Sequence, residues 1–312
     1  MTEIADNASL TSDKEYIFNQ CITLSQLDDG KNYGADYEDK LLSIAAKFVT
    51  SENYTKLDDV LKQFESQVWQ AEEYKLIRLD IIRKIYGDSV ADDFIIANLQ
   101  FQKIREIAYE KEISRKNYKF CEQLCLEALS LYEQRYGVSP WLYRLFSVYE
   151  AINNTEGLQK TGKEILFGGD FKYYIKLKSL YSKEEWDNMF ITILKELEDN
   201  KSGVYTKILV EENLSSKLLD YCKKDPYSIT SYYQHLVPEH QYDVGLIFMD
   251  YIKKRAEQAN KRSAYRYVCE IILQYEKACG IEAYGLRNEL ISYYSNRPAF
   301  VDELKKLKMK KV

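Results

Sequence analysis

The residues best suited to chemistry stand late in the chain. Lys253-Lys254-Arg255 is followed by Lys261-Arg262 and then by Tyr265-Arg266-Tyr267. Arg262 and Arg266 are four apart, so on a helix they share a face. Guanidinium groups hold phosphates through charge-assisted hydrogen bonds, and phenol rings beside them stack on bases. The segment is therefore a candidate contact for nucleic acid or for another partner. A second candidate set is the adjacent tyrosines Tyr173 and Tyr174, and Tyr232 and Tyr233. Tyrosine joins a large ring to a polar tip, which suits a partner-binding surface and interhelix packing alike. Composition leaves both roles open.

Other constellations carry less. Cys121 and Cys125 are four apart, but two thiols are not a metal site and no His or Cys pair completes them. They read as core residues. His235 and His240 flank Pro238, which is expected to open a helix, so the two imidazoles do not share one face as zinc-protease histidines do. Gly168-Gly169-Asp170 has neither the preceding strand nor the Lys-Ser or Lys-Thr of a phosphate loop, and reads as a helix stop followed by a helix start. The expectation is a protein with no catalytic residues, no metal and no cofactor.

The elements that position these residues are helices. The 312 residues include only 4 Pro and 12 Gly, too few for the turns of a sandwich or barrel, and 28 Tyr with 2 His. Apolar residues recur at helical spacing from one end to the other. Ser12-Asp13-Lys14-Glu15 is a capping box before Ile17, Cys21, Leu24 and Leu27, with a stop at Asp28–Lys31. Leu41, Leu42, Ala45 and Phe48 mark a second helix, and Leu57, Leu61, Phe64 and Val68 a third. A fourth ends at Tyr86-Gly87. The clearest pair is Phe94–Ile113 with Tyr118–Tyr136, whose Asn117-Tyr118 turn resembles tetratricopeptide packing. The predicted fold is an all-α solenoid of about 15–17 short antiparallel helices in degenerate tetratricopeptide-like repeats. Residues 1–11 are expected to be disordered and residues 12–304 to form one helical-repeat domain, with possible sub-units 12–90 and 91–304. Residues 305–312 read as a basic tail.

Charge is unevenly placed. The net is −5, yet residues 1–100 hold 10 Lys/Arg against 19 Asp/Glu, while residues 251–312 hold 14 against 7. The two ends are suited to different partners, or to each other. No basic-then-apolar leader or long uncharged apolar segment is present, so no membrane association is expected. Six scattered cysteines without such a leader read as free thiols in a cytoplasmic protein.

One family resemblance enters in the second half. Residues 169–181 (GDFKYYIKLKSLY), Glu185-Trp186, Tyr205–Leu209, Arg262–Cys269, Gly280 and Arg297–Leu304 (RPAFVDEL) resemble the helical region of bacterial SWIM zinc finger proteins. The likeness covers about residues 100–304, and its most specific parts are the RPAF…DEL ending and the upstream Tyr–Arg–Cys segment. The family's zinc motif, CxC followed by CxH, is absent, so the resemblance carries over no zinc ligand. It implies a helical region without assigned catalytic residues, accompanying a module that binds nucleic acid or protein. The expected function is thus a non-catalytic scaffold for a protein or peptide. The alternatives are a nucleic-acid-associated accessory factor and a peptide-sensing receptor.

Overall fold

Apolar residues returning every three to four positions make amphipathic helices, and scarce Pro and Gly leave them unbroken. A computed structural model describes residues 11–27, 37–65, 71–132, 137–199 and 203–308. Among the described residues there are seventeen α-helices and no strand. The first eight are α1 Thr11–Ser25, α2 Glu38–Lys47, α3 Tyr54–Glu65, α4 Ala71–Tyr86, α5 Asp88–Ala97, α6 Gln102–Ser114, α7 Tyr118–Leu131 and α8 Pro140–Ala151. Then come α9 Thr155–Phe167, α10 Lys172–Ser179, α11 Lys183–Asp199, α12 Gly203–Glu211 and α13 Ser215–Lys224. The last four are α14 Ile229–Gln258, α15 Arg262–Cys279, α16 Ile281–Tyr293 and α17 Pro298–Lys305. Most helices pack on their chain neighbours, and α2 also meets α4, α4 meets α6, and α15 meets α17. Such short-range stacking defines an all-α helical repeat. Asp28–Lys31, Val68, residues 133–136 and the end of the basic tail lie outside the described residues.

The chain divides into two compact units, residues 1–164 and 165–312. Near the possible sub-unit boundary at residue 90 the chain turns tightly. Gly87 adopts φ +82, its N–H donates to Arg83 O, and α5 begins at once. In the first unit Phe18, Leu42, Leu57, Leu61 and Tyr74 share one core cluster. In the second, Leu177, Ile193, Ile208, Phe248, Ile272 and Phe300 belong to another.

The short joints share a design. At Lys116, Asn153, Gly169 and Asn213 the chain takes positive φ for one residue. The next N–H reaches back to a carbonyl five residues earlier: Asn117 to Glu112, Asn154 to Tyr149, Asp170 to Ile165, Leu214 to Leu209. This satisfies carbonyls that a helix end leaves unpaired. Lys116 (φ 59) pays a steric cost there that glycine would not. Lys116→Gly is expected to raise stability by about 0.5–1 kcal/mol, read as a higher urea midpoint with unchanged slope. The α8–α9 joint is also packed to the limit. A Cβ on Gly157 would lie 2.6 Å from the Tyr149 ring. Gly157→Ala is therefore expected to cost about 1–3 kcal/mol, despite alanine's better helix propensity.

Three local expectations are corrected. Phe94–Ile113 is not one helix but α5 and α6, parted at Asn98–Phe101. Asn98 Nδ2 donates to Phe94 O (2.8 Å), while the Leu99 and Gln100 carbonyls accept from Arg105 Nε (2.9 Å) and Tyr132 Oη (3.0 Å). Side chains distant in sequence thus hold the break open. Pro238 does not start a helix. It lies inside α14, which kinks two residues later, at His240 (φ −129, ψ 30). At the 168–170 stop, Gly169 rather than Gly168 takes the positive φ, and Asp170 Oδ1 accepts from Lys172 N as the start signal (3.0 Å).

Candidate functional site

The basic segment is largely engaged within its own unit. Arg262 lies 3.6 Å from Asp302 and 3.4 Å from Glu303, and Arg266 3.5 Å from Glu303. Lys306 joins the same two carboxylates. Tyr265 is buried and stacks on Phe300 with centroids 4.7 Å apart. These residues therefore seat α17 on α15, closing the last apolar layer, and Tyr265 offers no ring to a base. Lys253 pairs with Glu289 (2.8 Å) and Lys254 with Asp250 (2.8 Å). Arg255 covers the ring of Tyr267, whose hydroxyl meets that of Tyr251 (3.1 Å). Lys261 is exposed.

The tyrosine pairs split by side. Tyr174, Tyr233 and Tyr294 are buried, while their predecessors Tyr173, Tyr232 and Tyr293 are half-buried or exposed. Tyr174 packs with Phe171 and Trp186, and its hydroxyl donates to Glu212 (2.7 Å). Tyr233 packs edge-on to Phe248. Tyr174 and Tyr233 are thus core residues, contrary to a binding role. Tyr173 lies under Lys176. Tyr232 touches Tyr221, which lines a cavity.

That cavity, of about 460 Å³, is lined by Glu198, Tyr205, Lys217, Asp220, Tyr221, Lys224 and Asp225. Helix α13 builds one wall. Leu218, Leu219 and Cys222 turn to the core. Lys217, Asp220, Tyr221 and Lys224, three and four residues apart, fall together on its other side. Tyr205 of α12 and Glu198 of α11 form the opposite wall. The Tyr205 hydroxyl donates to Glu198 (3.2 Å), and Lys224 donates to its other oxygen (2.9 Å). Rings continue from Tyr205 to Tyr221 (6.2 Å) and from Tyr221 to Tyr232 (6.4 Å, nearly perpendicular). Tyr232 Oη is fixed by a hydrogen bond to buried Thr206 (2.8 Å).

The electrostatics follow from this geometry. The Lys224 hydrogen bond, with help from Tyr205, holds the Glu198 carboxyl below its usual range. Burial pushes Tyr205 up to about 12, and Glu198 and Asp220 add to it. Burial and Asp225 push Tyr221 the same way. Both phenols thus stay protonated at neutral pH. Among the described residues, Asp220, Asp225 and Lys217 form no ion pair. The cleft offers ring faces beside carboxylates that form no ion pair among the described residues.

Glu212 has the same sign as Glu198: burial raises its carboxyl, but the Lys178 and Tyr174 hydrogen bonds outweigh that and the net is downward. Carboxylates depressed on folding stabilise the fold above their unfolded value and lose that contribution as pH falls through the folded value. The unfolded value is near 4.5. The urea midpoint is therefore expected to be flat near neutrality and to fall from about pH 5 downward; a midpoint that rises in acid would contradict the pairing.

Two other constellations are structural. Ser215 Oγ donates to Glu239 (2.5 Å) and lies 3.1 Å from His240 Nε2. With the serine hydrogen directed to Glu239, His240 meets that oxygen as a donor, the reverse of a nucleophile–base pair. The contact ties the α14 kink to the start of α13. Cys121 and Cys125 are fully buried, and burial pushes their thiols up to about 11 and about 12, away from the thiolate a metal needs. Among the described residues no group of three or more His, Cys, Asp or Glu is placed to hold a metal ion, and no helix is long and apolar enough to cross a membrane.

Sequence reasoning passed over Tyr205 and Tyr221. The available signal was α13 itself, whose polar face carries an aromatic between two lysines. Compared with protein-family models, curated proteins and solved structures, the chain has no match.

Proposed function

We propose that this protein is a non-catalytic helical-repeat scaffold that binds a protein or peptide in the Tyr205–Tyr221–Tyr232 cleft. The observation that carries this reading is the cleft: three tyrosines in series, two of them anchored by their hydroxyls, beside a cavity sized for a side chain. Pre-oriented aromatic surface binds with little loss of rotamer entropy. Paired helices with three-residue joints, as around Lys116 and Asn153, are compatible with degenerate tetratricopeptide-like repeats. The buried free thiols fit a reducing, cytoplasmic compartment.

The nucleic-acid reading is weaker because Arg262 and Arg266 are committed to Asp302 and Glu303. Affinity capture on the full chain tests the preference. A partner protein retained by the native chain and depleted at least about tenfold by Tyr221→Ala supports the cleft reading. Salt-sensitive nucleic acid retained in its place would overturn it.

A further inference from the structure

The cleft has a charge character that narrows its partner. Glu198 is satisfied by Lys224 and Tyr205, so that carboxylate and that lysine cancel. Asp220 and Asp225 remain, at either side of Tyr221 on the α13 wall and the turn that follows it. Lys217 opposes them, and Lys224 also acts on Asp220 while its hydrogen bond is spent on Glu198. Two carboxylates beside a ring face form the complement of a planar cation. A guanidinium stacks on the ring while its edge N–H groups meet carboxylate oxygens. The negative field is also felt by the ring hydroxyls, since Asp220 raises Tyr205 and Asp225 raises Tyr221. The cavity, about 460 Å³, falls within the range of built side-chain and small-ligand pockets.

We infer that the cleft recognises an arginine side chain of the partner peptide, stacked on Tyr221 between Asp220 and Asp225. This rests on the scaffold reading and adds the chemistry of the occupant. The seven lining residues all belong to one unit, so the site is complete within it. Acidic peptides are disfavoured, because they would meet two carboxylates and find Lys217 as the one lining cation not already hydrogen-bonded to Glu198.

The test selects binders to the full chain from a display library of random dodecapeptides and measures the winners by fluorescence anisotropy. Expected winners share an arginine. Changing it to lysine weakens binding several-fold, and changing it to glutamate abolishes it. Asp220→Asn with Asp225→Asn weakens it about tenfold, as does Tyr221→Ala. The Asn pair lies at exposed positions and leaves the melting curve unchanged, which separates lost recognition from lost folding. Winners with no shared cation, or unaffected by the Asn pair, overturn the arginine inference and leave the scaffold reading standing. If no peptide is selected, both fall.

Discussion

Arg105→Met is expected to destabilise the first unit by about 2–3 kcal/mol, seen as a drop in urea midpoint. Arg105 is 2% exposed. Its Nε donates to Leu99 O (2.9 Å), and one terminal nitrogen donates to Leu124 O (3.1 Å) and Glu127 (2.9 Å). Methionine keeps the aliphatic stem but leaves the Leu99 carbonyl of the break without this donor, at about 1–3 kcal/mol, and takes a charged donor from Glu127 and a second donor from the Leu124 carbonyl. The Leu99 carbonyl belongs to the break between α5 and α6, so the loss is local before it is global. Hydrogen exchange should show earlier opening of residues 98–101 than of α7. Native-like stability in this variant would mean that the break is held by something other than Arg105.

Trp141→Ala is expected to cost about 3–5 kcal/mol, while Trp141→Phe costs much less. Trp141 is buried (1% exposed) at the start of α8, after a Ser139 cap that accepts its own backbone N–H. Tyr109 meets its ring edge-on at 6.1 Å, and Arg144 covers it at 4.7 Å. Alanine removes a large ring from a packed site and takes from the Arg144 guanidinium the nearer of its two aromatic partners, leaving Tyr109. The indole N–H, by contrast, has no hydrogen-bond partner. Phenylalanine therefore forfeits volume but no hydrogen bond. Equal losses for the two variants would contradict that reading. Thermal melts of both, followed by circular dichroism, decide between them.

These residues also show what the sequence could and could not reveal. Helices were legible because each needs only its own 3.6-residue rhythm and local stop signals. Leu57, Leu61 and Phe64 are buried on α3 as their spacing predicts. The break at 98–101 was not legible, because the donors that hold it, Arg105 and Tyr132, lie outside it in sequence. Charge was misleading for a related reason. Counting Arg262 and Arg266 as available ignores Asp302 and Glu303, which the fold brings to them from the last helix. Adjacent tyrosines could not be assigned roles from adjacency, since neighbours on a helix point about 100° apart. One of each pair must turn inward, and Tyr174 and Tyr233 do. The cleft was hidden because Tyr205, Tyr221 and Tyr232 come from three helices and unite only when those helices pack.

The claim that this cleft is where a partner binds is tested most directly by crosslinking from its rim. Lys217 lines the cavity and is free of ion pairs among the described residues, so Lys217→p-benzoylphenylalanine places a photoreactive ring there without removing an anchor. The account predicts that light joins this variant to an arginine-bearing peptide from the selection, with saturable yield. It also predicts that adding Tyr221→Ala lowers the yield about tenfold while the melting temperature holds. Equal crosslinking with and without Tyr221, or efficient crosslinking of the same peptide from a surface position away from the cleft, would contradict it.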